Sequence, residues 1–246
     1  MGTPVQRPSP SAYPPDGLLA TTLATLAGTP DDASQVEALL VTTARLAADV
    51  VEPVSYASVT ATRAGMPTTV AASSHIAYEV DLAQYADRAG PCLDSLEGGR
   101  PVDVPDVGAV MAWPGFRDEA WRLGLRASLS IPLFAASGVP IAALNLYAHD
   151  PEPMEALTRR VLALYAPGDD PEPGAAPTVQ RGSTQLLAGI AAAFRIRDRL
   201  QRAFGAIMAR DHVSAETAYV LLRTRAAETG TTLPDAARTA AMEPGG

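Results

Sequence analysis

The chain has 246 residues, of which 47% are hydrophobic, and a formal net charge of −8 at pH 7. That is enough apolar material for one large core or two small ones. No apolar run approaches the roughly 18–20 residues that cross a bilayer, and residues 1–15 have neither a basic start nor an apolar centre, so no membrane partner is expected and the protein is placed in the cytoplasm.

The single Cys92 cannot close an internal disulfide. Together with the scattered His75, His149 and His212 it shows no zinc-binding spacing, so neither a metal nor another cofactor is expected. All basic residues are Arg, and they are unevenly placed: residues 181–246 carry nine Arg against six acids, residues 1–180 ten Arg against twenty-one acids. A mildly basic tail on an acidic body suits a polyanion partner for the tail alone, because phosphate neutralisation releases counterions; it also suits an ordinary solvated face.

In chain order, residues 1–17 are Pro-rich and read as disordered. Val36, Leu39, Leu40, Leu46, Ala47 and Val50 recur at helical spacing and predict a helix over Gln35–Val50. Residues 56–62, 68–72, 101–104, 128–134 and 141–147 are alternating or β-rich runs separated by Gly and Pro, and read as strands. Residues 75–88 and 116–123 carry helical spacing, which gives an α+β unit with helices on the faces of a sheet.

Cys92 follows Gly90-Pro91 where a helix can begin. The dipole there would favour a thiolate, whereas the plainer reading is a small buried hydrophobe. Asp103 and Asp106 flank Pro105 and serve a turn better than a catalytic pair. Trp113 and Trp121 read as core or pocket wall. No Gly-x-Ser-x-Gly elbow is present, and no phosphate loop is possible without Lys, so no enzyme is expected.

Residues 154–165 form a short helical stretch. Pro and Gly then interrupt residues 166–182, a linker that breaks any continuous helix from body to tail. A new helix starting near Ser183 or Thr184 runs through Leu186, Leu187, Ile190 and Ala193 to Met208. Its first half is apolar enough to pair with a second copy, as a homodimer, or to dock on the body. Arg195, Arg199 and Arg202 line one ridge of it. Ser214 can cap a second helix, and Thr231 or Thr232 a third with Pro234 in its first turn.

Two groups of residues carry resemblances. Arg197, the run Ala203-x-Gly205-x-Ile207-Met208, then Ser214-x-x-x-Ala218-Tyr219-x-x-Leu222-Arg223 and Leu233-x-Asp235-x-Ala237 resemble the ANTAR module, an RNA-binding three-helix domain of bacterial antitermination regulators. Where that family carries Lys between Ala and Gly, this chain has Phe204. Pro67-Thr68-Thr69-Val70-Ala71, Gly90-Pro91-Cys92-Leu93-Asp94-Ser95-Leu96, Trp113-Pro114-x-Phe116, Leu129-Ser130-Ile131-Pro132-Leu133 and Ala143-Leu144-Asn145-Leu146-Tyr147 resemble the GAF domain of actinobacterial GAF-ANTAR regulators.

The resemblances imply a GAF sensor over residues 18–165, with a six-stranded antiparallel sheet and a small-molecule pocket on one sheet face, followed by an all-α ANTAR domain over residues 183–246. The pattern of cyclic-nucleotide GAF domains is missing, so the small-molecule effector is unassigned. The implied function is ligand-responsive antitermination, in which the tail grips paired hairpins of a leader transcript. Arg197, Arg199, Arg202, Phe204, Gly205, Tyr219 and Arg223 are the implied RNA-binding residues. Tyr219 alternates with apolar neighbours and suits a core position better than a contact. The alternative is a GAF sensor whose helical tail mediates dimerisation or protein contacts without RNA.

Overall fold

The computed structural model describes residues 17–166 and 181–240; the Pro-rich start and most of the linker lie outside the described residues. The elements run α1 (Leu18–Gly28), α2 (Gln35–Val50), β1 (Tyr56–Arg63), β2 (Met66–Ala72), α3 (His75–Asp87), α4 (Pro91–Gly98), β3 (Val102–Val104), α5 (Pro114–Arg122), β4 (Ala127–Phe134), β5 (Pro140–Ala148), α6 (Pro151–Tyr165), α7 (Arg181–Asp211), α8 (Ala215–Thr229) and α9 (Leu233–Ala240).

The strands form one antiparallel sheet in the order β2-β1-β5-β4-β3. Among the described residues it has five strands where the resemblance implies six. Strand β3 is cut to three residues. Pro105 has no N–H for the ladder, and the Asp106 carboxylate then turns the chain by accepting from the Gly108 amide at 2.8 Å.

Alternation along the strands divides the core. Ala57, Val59 and Ala61 of β1, Leu129 and Ile131 of β4, and Leu144 and Leu146 of β5 pack under α1, α2, α6 and α7 in one apolar cluster. The opposite face meets α3, α4 and α5, with Phe116, Leu125 and Tyr147 in a second cluster. Caps fix several helix starts, as their residue types require: Ser74 accepts from Ala77 N, Asp150 from Glu152 N and Ser214 from Thr217 N. Thr232, of the two threonines proposed, caps α9 through Asp235 N at 3.3 Å.

Leu18–Gly28 forms a helix that the residue pattern left unassigned. Leu19, Leu23 and Leu26 are buried, and α1 lies along α7 so closely that a Cβ added at Gly189 would sit 2.9 Å from Ala20 Cα and 2.7 Å from Leu23 Cδ1. Leu186 and Ile190 of α7 therefore belong to the sheet domain's core, so the first half of α7 docks on the body. The second half carries Leu200, Ala203, Phe204 and Ile207 into a separate cluster with Ala218 and Leu222 of α8 and Leu233, Ala236 and Ala237 of α9. One helix is thus shared by both units.

The close approach at Gly189 predicts the sign of a substitution. Ala is the better helix former by about 1 kcal/mol, yet Gly189→Ala should destabilise the protein by about 1–3 kcal/mol, because the methyl forces α1 and α7 apart. Urea unfolding measures this; a stabilised variant would refute the contact.

Candidate functional site

Two arrangements stand out, one on the inner face of the sheet and one where the tail meets the body. On the face toward α3, the strands present Ser58 and Thr60 (β1), Thr69 (β2), Ser128 and Ser130 (β4), and Asn145 and Tyr147 (β5). Register lines up Ser58, Asn145 and Ser130 in one row and Thr60 beside Thr69. Asp81 of α3 enters this face fully buried.

Three hydrogen-bonded chains end on its carboxylate. In the first, the Cys92 amide donates to Gln84 Oε1 (3.0 Å), Gln84 Nε2 to Tyr147 OH (3.3 Å), and Tyr147 OH to Asp81 Oδ1 (2.7 Å). In the second, Ser130 Oγ donates to Asn145 Oδ1 (3.0 Å), Asn145 Nδ2 to Ser58 Oγ (3.1 Å), and Ser58 Oγ to Asp81 Oδ1 (2.9 Å). The third links Thr60, Tyr85 and Thr69 through contacts of 2.9 and 2.8 Å, and Thr69 Oγ1 donates to Asp81 Oδ2 at 2.9 Å.

With Thr60 accepting from Asn145 Nδ2 at 3.0 Å, every hydroxyl has a consistent direction toward an ionised Asp81. No cation joins it among the described residues: burial dominates and pushes the carboxyl up to about 6, against the bonds donated by Tyr147, Ser58, Thr69 and, at 3.4 Å, Asn145, which lower it. Ser128 Oγ, on the same face and opposite Tyr147, is buried without a partner.

This network explains the Gly90-Pro91-Cys92 motif. A Cβ at Gly90 would collide with the Gln84 side chain that reaches the Cys92 amide. Cys92 does sit at the start of α4, but it is fully buried. Burial first, and then the Asp81 charge, push its thiol up, so the dipole does not yield a reactive thiolate. Trp113 packs edge-on to Phe116 at 6.4 Å, while Trp121 is half exposed with Arg126 Cζ 3.9 Å over its ring. A groove of about 1150 Å³ opens beside the β1–β2 hairpin, where Ala61, Met66, Tyr85, Leu93 and Leu96 are among its walls.

At the junction, Glu52 caps the start of α7. Its carboxylate accepts from Gly182 N at 2.9 Å and Ser183 N at 3.1 Å. Burial alone would raise this carboxyl, but the donated bonds outweigh burial and hold it below its ordinary value. Farther along, the loop after α1 meets α8: Tyr219 OH donates to Asp31 Oδ1 at 3.2 Å and accepts from Asp31 N at 3.3 Å, and Arg223 Nη2 lies 2.9 Å from Asp32 Oδ1. Asp31 also accepts from Ser137 N and Ser137 Oγ, which ties in the β4–β5 loop. Gln201 Nε2 donates to Ser137 O at 3.1 Å, and Arg197 Cζ lies 4.2 Å over the Phe134 ring.

The seven tail residues singled out from the sequence therefore fall into three groups. Arg197, Tyr219 and Arg223 face the body. Arg202 and Gly205 lie on the outer side of α7 with Arg195, where a Cβ at Gly205 would meet only open space, and Arg199 is half-buried at its flank, where its charge helps hold the Asp235 carboxyl of α9 low. Phe204, 4% exposed, is turned into the three-helix core edge-on to Tyr219 at 5.8 Å. Its ring is not presented for base stacking, because apolar burial draws it inward between α7 and α8. Asp31, Asp32 and Asp81 carried no sequence signal of their own, since their partners lie far away in the chain.

The layout is that of a two-part regulatory protein, a sheet domain of sensor type carrying a helical output unit. The chain belongs to the GAF domain family, whose model matches residues 33–167, and it carries an ANTAR domain, matched over residues 188–239. No curated protein matches it. Among solved structures, a domain of a two-component sensor histidine kinase protein from Sinorhizobium meliloti 1021 is similar at 16% identity and a TM-score of 0.40, over 74% of this chain and 100% of that one.

The Asp81 carboxyl is raised in the folded protein from the ordinary aspartate value to about 6, so the protonated form stabilises the fold and that contribution is lost as pH rises from about 4 through about 6. Relative to Asp81→Asn, the wild-type protein should lose on the order of 3 kcal/mol over that window and change little above it. Urea unfolding of both proteins across the window checks this, and the opposite slope would mean that the hydrogen bonds outweigh burial.

Proposed function

We propose that the protein is a ligand-responsive, RNA-binding transcription antitermination regulator: a GAF sensor over residues 18–165, a linker over 166–182, and an RNA-binding ANTAR unit over 183–246. The observation that carries this reading is the division of the tail residues at the junction. Arg195 and Arg202 are exposed on α7, with the half-buried Arg199 between them beside Asp235, while Arg197, Tyr219 and Arg223 are engaged by the sensor. An RNA loop recognised through Arg stacking and bidentate bonds would use both groups.

The sensor's hold is built from weak contacts. Arg223 and Asp32 keep side-chain exposures of 37% and 66%, and such a pair contributes about 0–1 kcal/mol. The Arg197–Phe134 contact, made on a ring only 7% exposed, adds about 1–2 kcal/mol. A ligand that alters the sensor by a few kcal/mol is sufficient to change the balance. The protein-contact reading has one observation in its favour, the exposed Met208, Val220 and Leu221 on the tail.

Three measurements test the proposal. In a mobility-shift titration, a two-hairpin leader RNA should bind in preference to a scrambled-loop control and weaken steeply with salt; no preference would favour the protein-contact reading. Arg199→Ala with Arg202→Ala should flatten the salt slope by about two units. Asp31→Ala with Asp32→Ala should raise affinity for the two-hairpin RNA by about tenfold if those carboxylates withhold Tyr219 and Arg223, and unchanged affinity would free the junction of that role.

A further inference from the structure

Asp81 breaks a general rule. Buried carboxylates are paired with a cation or hold a metal, yet this one is fully buried with neutral donors only. The donors are arranged around a negative charge: three chains of side chains spend their protons on it, and none leads to a basic group. A purely structural polar cluster gains nothing from keeping such a charge, because an apolar or neutral replacement avoids its desolvation cost.

One of the three chains leads from this buried carboxylate to the wall of the groove. Tyr85 lines the groove with Ala61, Leu93 and Leu96, and its hydroxyl bonds Thr60 and Thr69, the latter being the residue that touches Asp81 Oδ2. Tyr85 therefore stands between the groove and the charge. Leu93, Leu96 and Ile141 give the groove an apolar wall, while Asp31, Arg63, Arg88 and Glu97 put charges of both signs around it; Arg63 is engaged with Glu37 at 2.9 Å.

We infer that the polar face around Asp81 is the sensor's effector site and that its effector is a small aliphatic amine, with the ammonium group on Asp81 and the hydrocarbon stem in the groove beside Tyr85. The inference rests on the sensor reading given above and adds the ligand's chemical class. An ammonium supplies three donors and the missing positive charge. One donor replaces the Thr69 hydroxyl on Oδ2, and Thr69 then turns to accept from another. No covalent step is involved. Neutralising the buried charge removes the cost that the empty site carries, so binding should stabilise the protein markedly for so small a ligand.

The test uses the full-length protein with n-propylammonium chloride, against potassium chloride and tetramethylammonium chloride at equal ionic strength, read by calorimetry and thermal unfolding. Saturable binding and a raised Tm are expected for n-propylammonium alone. Asp81→Asn, with its fold verified by circular dichroism, should weaken binding by at least about tenfold. Tyr85→Phe keeps the ring but drops the bonds that close the way to Asp81, and should bind several-fold tighter.

Absence of saturable binding, equal binding by folded Asp81→Asn, or an equal response to potassium would overturn the inference. RNA binding is measured separately without amine. Intact RNA binding with no amine response refutes only this inference, whereas amine binding without RNA binding refutes the output reading instead.

Discussion

The backbone approach of α1 to α7 is the constraint on which the remaining structure depends. Gly189 and Ala20 allow the two helices to touch where larger residues would hold them apart. At the start of α7, Gly182 lies against the Val50 carbonyl, and Glu52 satisfies amides that a helix start otherwise leaves open. Held at both places, α7 cannot tilt freely. Its second half is therefore aimed by the sensor's core, and the three-helix unit assembled on it is set beside the Asp31 and Ser137 loops.

The two ends of this arrangement differ in character. The anchor of α7 is apolar, close-packed and extensive. The contacts of Arg197, Tyr219 and Arg223 with the body are polar, partly solvated and individually weak. A protein built this way can loosen its output unit without unfolding its sensor, because the weak contacts can open while the shared helix stays seated. The polar inner face of the sheet is separated from the α1–α7 layer by the thickness of the sheet itself. A change at Asp81 can reach the tail through strands β1, β4 and β5, which contribute residues to both faces, or along the groove, whose lining includes both Tyr85 and Asp31.

Much of the fold was legible because period and punctuation agreed. The α2 stripe gave its exact ends, and the Gly- and Pro-bounded β runs became strands with small shifts at their edges. Leu18–Gly28 went unassigned although Leu19, Leu23 and Leu26 recur at helical spacing; its exposed side is Leu18, Thr21 and Thr25, with no charged residue to set it off from the buried one. The arginine ridge was readable from spacing alone. The junction was not, because Asp31 finds Tyr219 188 residues away. The polar sheet face was misleading in a physical sense: Ser58-x-Thr60, Ser128-x-Ser130 and Asn145-x-Tyr147 look like solvent-facing alternation, and only their shared register shows that they face one another's partners under a helix.

The position of α1 has a consequence for how the chain is made. The GAF match begins at residue 33, after α1, and ends before α7. During synthesis α1 emerges before the strands and its partner helix after them, so the sheet domain cannot finish its core while only its own strands are available. Leu19, Leu23 and Leu26 must wait, exposed or transiently covered, until Leu186 and Ile190 arrive. The pairing has high contact order and should be a late step in folding. Sensor and output are thereby joined in time as well as in space, since a chain that stops before its tail lacks part of its sensor.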